Sequence, residues 1–140
     1  MEHEALVKGN GLNISTKMSI MICEEIRGKK VQHAKKILED AISMKKPIAF
    51  RRFHKHLSHK TGMGPARYPV SASKQILNLL RTLESNAENK GLNKDKLKIT
   101  HAVANFAERR WHTGRQRRTK IKNTHLEIKA IEEKEDVKKK

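Results

Sequence analysis

The first third of the chain places apolar residues with the spacing of two amphipathic helices. Within residues 13–30 the first apolar stripe consists of Met18, Met21, Ile22 and Ile26. Ser15 or Thr16 suits the N-terminal cap of this helix, and Gly28 stands where a left-handed residue would end it. A second helix is predicted over residues 31–44. Its stripe consists of Val31, Ala34, Leu38, Ala41 and Ile42.

A longer helical pattern lies between Pro69, which suits a first turn, and Gly91, which suits a C-terminal stop. About 20 residues in a helix span roughly 30 Å, so we expect this helix to be the spine of the core. Its apolar face consists of Ala72, Ile76, Leu79, Leu80, Leu83 and Ala87. Pro47 ends the second helix, and the aperiodic residues 47–69 predict a long loop with at most a short extended piece.

Alternation at every second residue predicts two strands near the C-terminus, in residues 96–103 and 124–131. The side chains expected on their half-buried faces are Leu97, Ile99, His101 and Val103 in the first strand, and Leu126 and Ile128 in the second. The intervening residues are then the far end of a long hairpin over about 96–131, with its tip at about 109–118.

These elements predict a small α+β protein in which three helices pack on a small antiparallel sheet and a long basic β-hairpin projects outward. We expect one domain over residues 13–132. Residues 1–12 are expected to be a poorly ordered N-terminal extension. Residues 133–140 are expected to be a charged tail that is disordered or loosely attached.

The charge balance points to a polyanionic partner. The 140 residues contain 32 Lys and Arg against 15 Asp and Glu, a net charge of +17. Such a charge repels itself unless a polyanion or salt screens it. Nucleic acid is the first candidate and an anionic membrane the second. No acid occurs from residue 41 to 83, where basic residues are frequent, so we expect one face toward a polyanion and another toward solvent.

The most basic segment is ERRWHTGRQRR, residues 108–118. The alternative explanation needs no partner: these charges keep an exposed hairpin soluble and block edge-to-edge pairing. Arginine dominates, however, and its planar guanidinium suits phosphate oxygens and stacks on bases. Trp111 among these arginines suits stacking on unpaired nucleotides. Folding of Trp111 back onto the core is the alternative.

Other chemistry is poorly supported by the sequence. His54, His56 and His59 are surrounded by Lys and Arg that repel a metal ion, so hydrogen bonding to phosphates and base edges is preferred over metal binding. GMGPAR, residues 62–67, lacks the remaining residues of a phosphate-binding loop. The single cysteine, Cys23, excludes an internal disulfide and is read as a buried apolar residue. No nucleophile–base pair is apparent, so we expect no enzyme, no cofactor and no metal.

Several blocks in order resemble the large-subunit ribosomal protein family L twenty-two, called L seventeen in older eukaryotic naming. The blocks are residues 15–40 (with Ile-Arg-Gly-Lys at 26–29), 47–53, 64–99 and 114–128. The 47–53 block and the long loop are similar to the archaeal and eukaryotic branch. WHTGR stands where the family commonly has Pro-Arg-Ala-x-Gly-Arg on a longer hairpin. The outgoing arm is therefore expected to be shorter than usual.

The resemblance implies a structural, non-catalytic constituent of the large ribosomal subunit in the cytoplasm. It implies that the globular part binds ribosomal RNA near the tunnel exit and that the hairpin helps line the exit tunnel. The implied partners are large-subunit rRNA, neighbouring ribosomal proteins and the passing nascent polypeptide. No membrane partner and no homo-oligomer are expected. The alternatives are a DNA-binding or chromatin-associated protein with a basic β-ribbon and, from a third class, an RNA-modifying enzyme, for which catalytic groups are lacking.

The residues predicted to contact RNA come from the basic stretches and from positions that match the family. They are Lys17, Arg27, Lys29, Lys30, Arg51, Arg52, His54, Arg67, Tyr68, Lys74, Arg109, Arg110, Trp111, His112, Arg115, Arg117, Arg118 and Lys120. The residues predicted at the tunnel-facing tip are Arg110, Trp111, His112, Gly114 and Arg115.

Overall fold

The computed structural model describes residues 4–133. The helices are α1 (Thr16–Ile26), α2 (Val31–Ile42) and α3 (Val70–Asn89). The strands are β1 (Glu4–Leu12), β2 (Ile48–Ala49), β3 (His59–Lys60), β4 (Gly64–Arg67), β5 (Leu97–Phe106) and β6 (Thr124–Glu132). Short 3-10 turns occur at Lys94–Lys96 and Gly114–Gln116. The predicted α+β class with three helices is confirmed.

The main sheet is antiparallel, in the order β1-β6-β5. One face is covered by the helices: α3 packs along β1, α1 packs along β5, and α2 packs on α3. Gly9 allows a close approach at this interface, since a Cβ there would lie 2.9 Å from Leu79 Cδ1. The buried aliphatic residues of the helices and of this sheet form one continuous core. We call residues 4–106 and 124–133, which contain this core, the body.

The N-terminal residues depart from the expectation of poor order, which is wrong for residues 4–12. They form β1 and pair with β6, with Val7 opposite Ile128. Ala5 and Val7 are buried, and Lys8 forms an ion pair with Glu127 at 3.6 Å. The alternation is short and interrupted by glycine, so its strand character becomes clear only when β6 supplies the hydrogen-bond partners.

The helix boundaries follow the predicted signals closely. Gly28 has φ +78° and its N–H donates to the Ile99 carbonyl at 2.8 Å, so the residue that ends α1 also fixes the helix to β5. Gly91 has φ +74° after α3. Ser15 occupies the N-cap position of α1, but its side chain makes no capping hydrogen bond.

In β5 the predicted inward face is half wrong. Leu97 and Ile99 are buried, whereas His101 is exposed and Val103 is half-buried. The pairing with β6 shifts between Ile99 and His101, a β-bulge that inserts one residue. Alternation restarts out of phase, and the small residues Ala102 and Ala104 face the core instead. The second strand follows its prediction, since Leu126 and Ile128 are buried.

The predicted long loop contains a second, small antiparallel sheet in the order β2-β4-β3. Phe50 is fully buried and forms a separate apolar cluster with Met21 and Leu57. The Phe50 N–H donates to the Pro65 carbonyl at 2.8 Å, which joins the two ends of the loop. This hydrogen bond and the cluster around Phe50 fix the position from which residues 51–59 extend.

Residues 107–123, which we call the connection, join β5 to β6. Beyond the strand ends the antiparallel arrangement continues through single hydrogen bonds, from Ile121 N–H to the Arg110 carbonyl (2.8 Å) and from His112 N–H to the Thr119 carbonyl (3.0 Å). Trp111 and Lys120 form an isolated bridge. A hairpin with strands reaching the 109–118 tip and projecting freely is not confirmed.

Residues 134–140, most of the predicted tail, lie outside the described residues. Glu133 still belongs to the ordered sheet margin, since its N–H donates to the Lys96 carbonyl at 3.0 Å and its carboxylate binds Lys98 at 2.9 Å.

Candidate nucleic-acid interface

A groove of about 500 Å³ lies where the N-termini of α1 and α3 meet the connection. Asn13 and Ser15 line it before and at the start of α1, and Tyr68 lines it before α3. His112 and Lys120–Lys122 line it from the connection. Neither helix has an acidic residue in its first turn, so the partial positive charge of both N-termini is left uncompensated there. The predicted residues Tyr68, His112 and Lys120 are thus brought together.

Positive charges from four separate segments converge beside His54. Partial burial, and then the charges of Lys17, His56, Arg67 and Lys122, lower the pKa of His54 below its ordinary value. All of the charged neighbours that shift this pKa are basic. The folded chain therefore concentrates like charge at a place that a polyanion would neutralise.

Lys17 and Arg52 both lie against Phe53. The Lys17 Nζ is 5.8 Å from the ring centroid and the Arg52 guanidinium carbon is 5.3 Å from it. Phe53 is half-buried, so the ring holds the two cations at the surface without neutralising them. Arg51 is exposed next to them.

The basic residues at the end of α1 have structural partners of their own. Arg27 donates to the Ala102 carbonyl of β5 at 2.7 Å, and Lys29 forms an ion pair with Glu25. Lys30 is exposed and its backbone bridges to Lys98. Within residues 4–133, Lys29 is the one predicted RNA-binding cation with a carboxylate at ion-pair distance. Lys74 is exposed on α3.

In the connection the arginines are solvent-exposed, and Trp111 is 57% exposed rather than folded onto the core. The Lys120 Nζ lies 4.6 Å from the centroid of the Trp111 ring, and the Arg109 guanidinium carbon lies 5.0 Å from that of Phe106. The predicted tip residues Arg110, His112, Gly114 and Arg115 lie in the same segment, with Gly114 at φ +67°. Arg115, Arg117 and Arg118 line a further basic depression beside Gly114.

The sequence did not predict Lys122 or Asn13 as parts of this surface, whereas His56 was expected to bind phosphates and base edges together with His54. Lys122 follows Lys120 at the strand spacing, so period 2 in the returning arm was a usable signal. Asn13 joins only through tertiary contacts, for which the sequence carries no local signal.

Other possible chemistry finds little geometric support. Burial raises the pKa of the Cys23 thiol to about 12, so this thiol is an inert core group. The rings of His54 and His56 are 5.8 Å apart and edge-on. Across residues 4–133, no three metal-binding side chains come together. In the same residues, no helix combines the length and the apolar character needed to cross a membrane.

The fold and the clustered charges define a class of protein: small, basic α+β domains with an arginine-rich connection between two core strands. The model of the family described as ribosomal protein L22p/L17e matches residues 7–133. The chain therefore belongs to this family. The resemblance found in the sequence blocks is confirmed.

Named relatives support this assignment. Large ribosomal subunit protein uL22 of Archaeoglobus fulgidus is 45% identical over 103 residues, covering 71% of this chain and 66% of the relative. The protein of the same name from Thermoplasma volcanium is 47% identical over 93 residues, covering 66% and 63%. That from Staphylothermus marinus is 46% identical over 115 residues, covering 74% and 73%. The matched regions span just under two thirds of the first two relatives.

These relatives are archaeal, which agrees with the archaeal side of the predicted branch. The family is structural and non-enzymatic, so the prediction that the chain is not an enzyme is confirmed.

Proposed function

We propose that the chain is a structural component of the large ribosomal subunit that holds folded rRNA against two surfaces. One surface is the basic convergence around His54 on the body, and the other is the connection. Cytoplasmic location within the subunit, contacts with neighbouring ribosomal proteins and contact with the nascent polypeptide belong to the same proposal. The names of the archaeal relatives support the ribosomal part.

The observation that carries the proposal is the convergence of Lys17, Arg67 and Lys122 on His54. A folded protein gains nothing by bringing these groups together from distant parts of the chain, because like charges oppose one another. Bound phosphates replace this electrostatic repulsion with attraction, and the release of the counterions of the phosphates adds favourable free energy. Folded RNA offers several phosphates at once at the spacing of such a surface.

Trp111 supports a second mode of contact in the connection. An exposed indole with a lysine at one face gains little from water, whereas an unpaired base stacked on it contributes about 1–3 kcal/mol. The surrounding arginines would hold the adjacent phosphates in bidentate pairs. Because the connection has few buried side chains of its own, we expect it to acquire a single conformation only on RNA.

The proposal is tested by binding the full chain to a large-subunit rRNA fragment at increasing salt concentration. The affinity should fall steeply, and the slope of log affinity against log salt should decrease by about one for each phosphate-binding cation removed. Lys17→Gln and Arg67→Gln should each show this decrease. Lys94→Gln, which removes the same charge from a lysine already paired with Glu88 at 2.5 Å, is the matched control.

Binding that does not respond to salt, or equal effects of the three variants, would contradict the proposal. The same titration with duplex DNA separates the alternative function. A chromatin protein should bind duplex DNA at least as tightly as the rRNA fragment, whereas the proposed function requires preference for the folded RNA.

A further inference from the structure

The outer edge of β5 carries backbone groups that point away from β6. Ala107 donates its N–H to the Asn123 carbonyl, so residue 107 faces the β6 side. Because strand residues alternate in direction, Ala104 and Phe106 turn their N–H and C=O groups to the opposite, outer edge. Ala102 has the same orientation, and its outward carbonyl accepts the hydrogen bond from Arg27.

This edge is covered at only one end by the described residues. Near the start of β5, Ile99 accepts from the Gly28 N–H (2.8 Å) and donates to the Lys29 carbonyl (3.0 Å). Beyond the Arg27 side chain, no residue within 4–133 hydrogen-bonds to Ala104 or Phe106 from the outer side. An uncovered strand edge is a template for pairing with another extended chain.

A groove of about 380 Å³ runs beside this uncovered edge, between β5 and α1. Ile20 and Cys23 provide its apolar wall on α1, and Ala104 and Phe106 provide it on β5. Phe106 is 64% exposed, among the most exposed of the large apolar side chains in residues 4–133. The groove therefore offers backbone pairing and apolar contact side by side.

The charge around the groove limits what can occupy it. Arg27 and Arg52 line it, Arg109 lies over Phe106, and Glu24 is the one acid in the lining. A second copy of this chain would bring its own arginines into the groove and be repelled. RNA presents mainly acceptors, whereas the edge presents N–H donors and carbonyl acceptors alternately at strand spacing. A polypeptide backbone matches that pattern.

We propose that the outer edge of β5 at residues 102–106 binds an extended segment of another protein by strand addition. The segment alternates apolar and acidic side chains. Its backbone pairs with Ala104 and Phe106, its apolar side chains contact Ile20 and Phe106, and its carboxylates contact the arginines. The backbone pairing at Ala104 and Phe106 uses no residue of the convergence around His54, so it does not depend on the proposed function. The flanking Arg27, Arg52 and Arg109 are also predicted RNA contacts, and they would serve either partner.

The first test is an NMR titration of the isotopically labelled full chain with an acetylated alternating Glu-Val hexapeptide. Shifts should centre on the Ala104 and Phe106 amides, whose hydrogen exchange should slow. Phe106→Ser should weaken binding about fivefold. Met44→Ser is the matched control, since Met44 is also 64% exposed but lies outside the groove, and it should leave the affinity unchanged.

Two further peptides separate strand addition from simple charge attraction. A Glu-Pro hexapeptide keeps the charge but cannot pair as a strand, and a Lys-Val hexapeptide keeps the strand pattern but reverses the charge. Both should bind more weakly than Glu-Val. Equal binding of Glu-Val and Glu-Pro, shifts centred on the connection, or an unchanged affinity of Phe106→Ser would overturn the proposal.

The second test uses assembled large subunits in which Phe106 is replaced by the photo-crosslinking residue p-benzoylphenylalanine. The expected product joins position 106 to a protein at an extended, acidic–apolar segment. A peptide with the sequence of that segment should reproduce the amide shifts seen with the Glu-Val hexapeptide. Crosslinking to rRNA alone, or no crosslink in assembled subunits, would overturn the strand-addition proposal. Successful incorporation in either case would leave the proposed rRNA-binding function intact.

Discussion

The body and the connection are built from the same chain but by different means. In the body, aliphatic side chains of three helices and three strands are almost completely excluded from water. In the connection, the arginines and Trp111 are exposed, and single backbone hydrogen bonds maintain the antiparallel course. Burial accounts for the stability of the first region, whereas the second has little apolar contact to hold it.

This difference explains how one small protein can carry a net charge of +17 and still fold. The body neutralises part of its charge with ion pairs on the outer sheet face, such as Glu4–Lys129 at 3.3 Å. Within residues 4–133, the cations of the connection and of the surface around His54 form no ion pair. We therefore expect mutations in the two regions to separate stability from RNA binding.

The largest effect on stability should come from the centre of α3. Leu80 is fully buried, so Leu80→Ala should lower the free energy of unfolding by about 2–5 kcal/mol. Trp111→Ala removes a larger side chain from the connection but should change the free energy of unfolding by only about 0.5 kcal/mol or less. Urea denaturation of both variants measures the contrast. Equal losses would show that the connection is packed as firmly as the body.

The next effect concerns a buried hydroxyl group. Thr124 Oγ1 donates to the Ile14 carbonyl at 2.9 Å and lies 2.7 Å from Thr16 Oγ1. Thr124→Val keeps the shape but leaves these groups without that partner, at a cost of about 1–3 kcal/mol. Thr113→Val makes the same change at an exposed site in the connection and should have almost no effect. A thermal unfolding series comparing the two variants checks this prediction.

Two glycines with the same backbone conformation give a finer comparison. Gly91 follows α3 at φ +74° and Gly114 lies in the connection at φ +67°, and neither has an atom near its would-be Cβ. Gly91→Ala should cost about 1 kcal/mol of global stability because of the left-handed conformation. Gly114→Ala should cost almost none, since the connection can rearrange locally without unfolding the body. A measurable loss of unfolding free energy in Gly114→Ala would mean that the two regions unfold together.

The smallest effect is electrostatic. Partial burial and neighbouring cations lower the pKa of His54, so the unfolded chain takes up this proton more readily. The neutral form of His54 therefore favours the folded state above the ordinary histidine pKa. This contribution to stability is lost as the pH falls from the ordinary pKa through the lowered pKa of the folded chain. Lys17→Gln should raise the pKa of His54 in an NMR titration, whereas Lys36→Gln, on α2, should not. A pKa unaffected by Lys17→Gln would remove the evidence for convergent charge.

The helices and β6 were predictable because their signals are local. Pro69, Gly28 and Gly91 mark helix ends, and apolar residues repeat at helical spacing between them. β1 was missed because its pattern is short and depends on a partner more than 100 residues away, as in the pairing of Lys8 with Glu127. The bulge near Thr100 was missed because both phases of β5 contain apolar residues, and only the packing against α1 selects Ala102 and Ala104.

The candidate site was predictable in part. Individual basic residues, including Lys17, Arg67 and Lys120, were predicted from composition and resemblance. Their convergence was not, because it requires α1, the long loop, β4 and the connection to meet at one place. The predicted long hairpin over about 96–131 is not confirmed, since β5 ends at Phe106 and the hydrogen bonds beyond it are single.

We propose that the body carries assembly into the large subunit while the connection acts after assembly. The most direct test of this proposal is the occupancy of the chain in purified large subunits, measured by quantitative mass spectrometry. Deleting residues 109–118 should leave occupancy close to that of the unmodified chain. The combined variant Arg51→Gln, Arg52→Gln and Arg67→Gln should lower occupancy severalfold. Loss of occupancy on the deletion, with normal occupancy of the body variant, would contradict it.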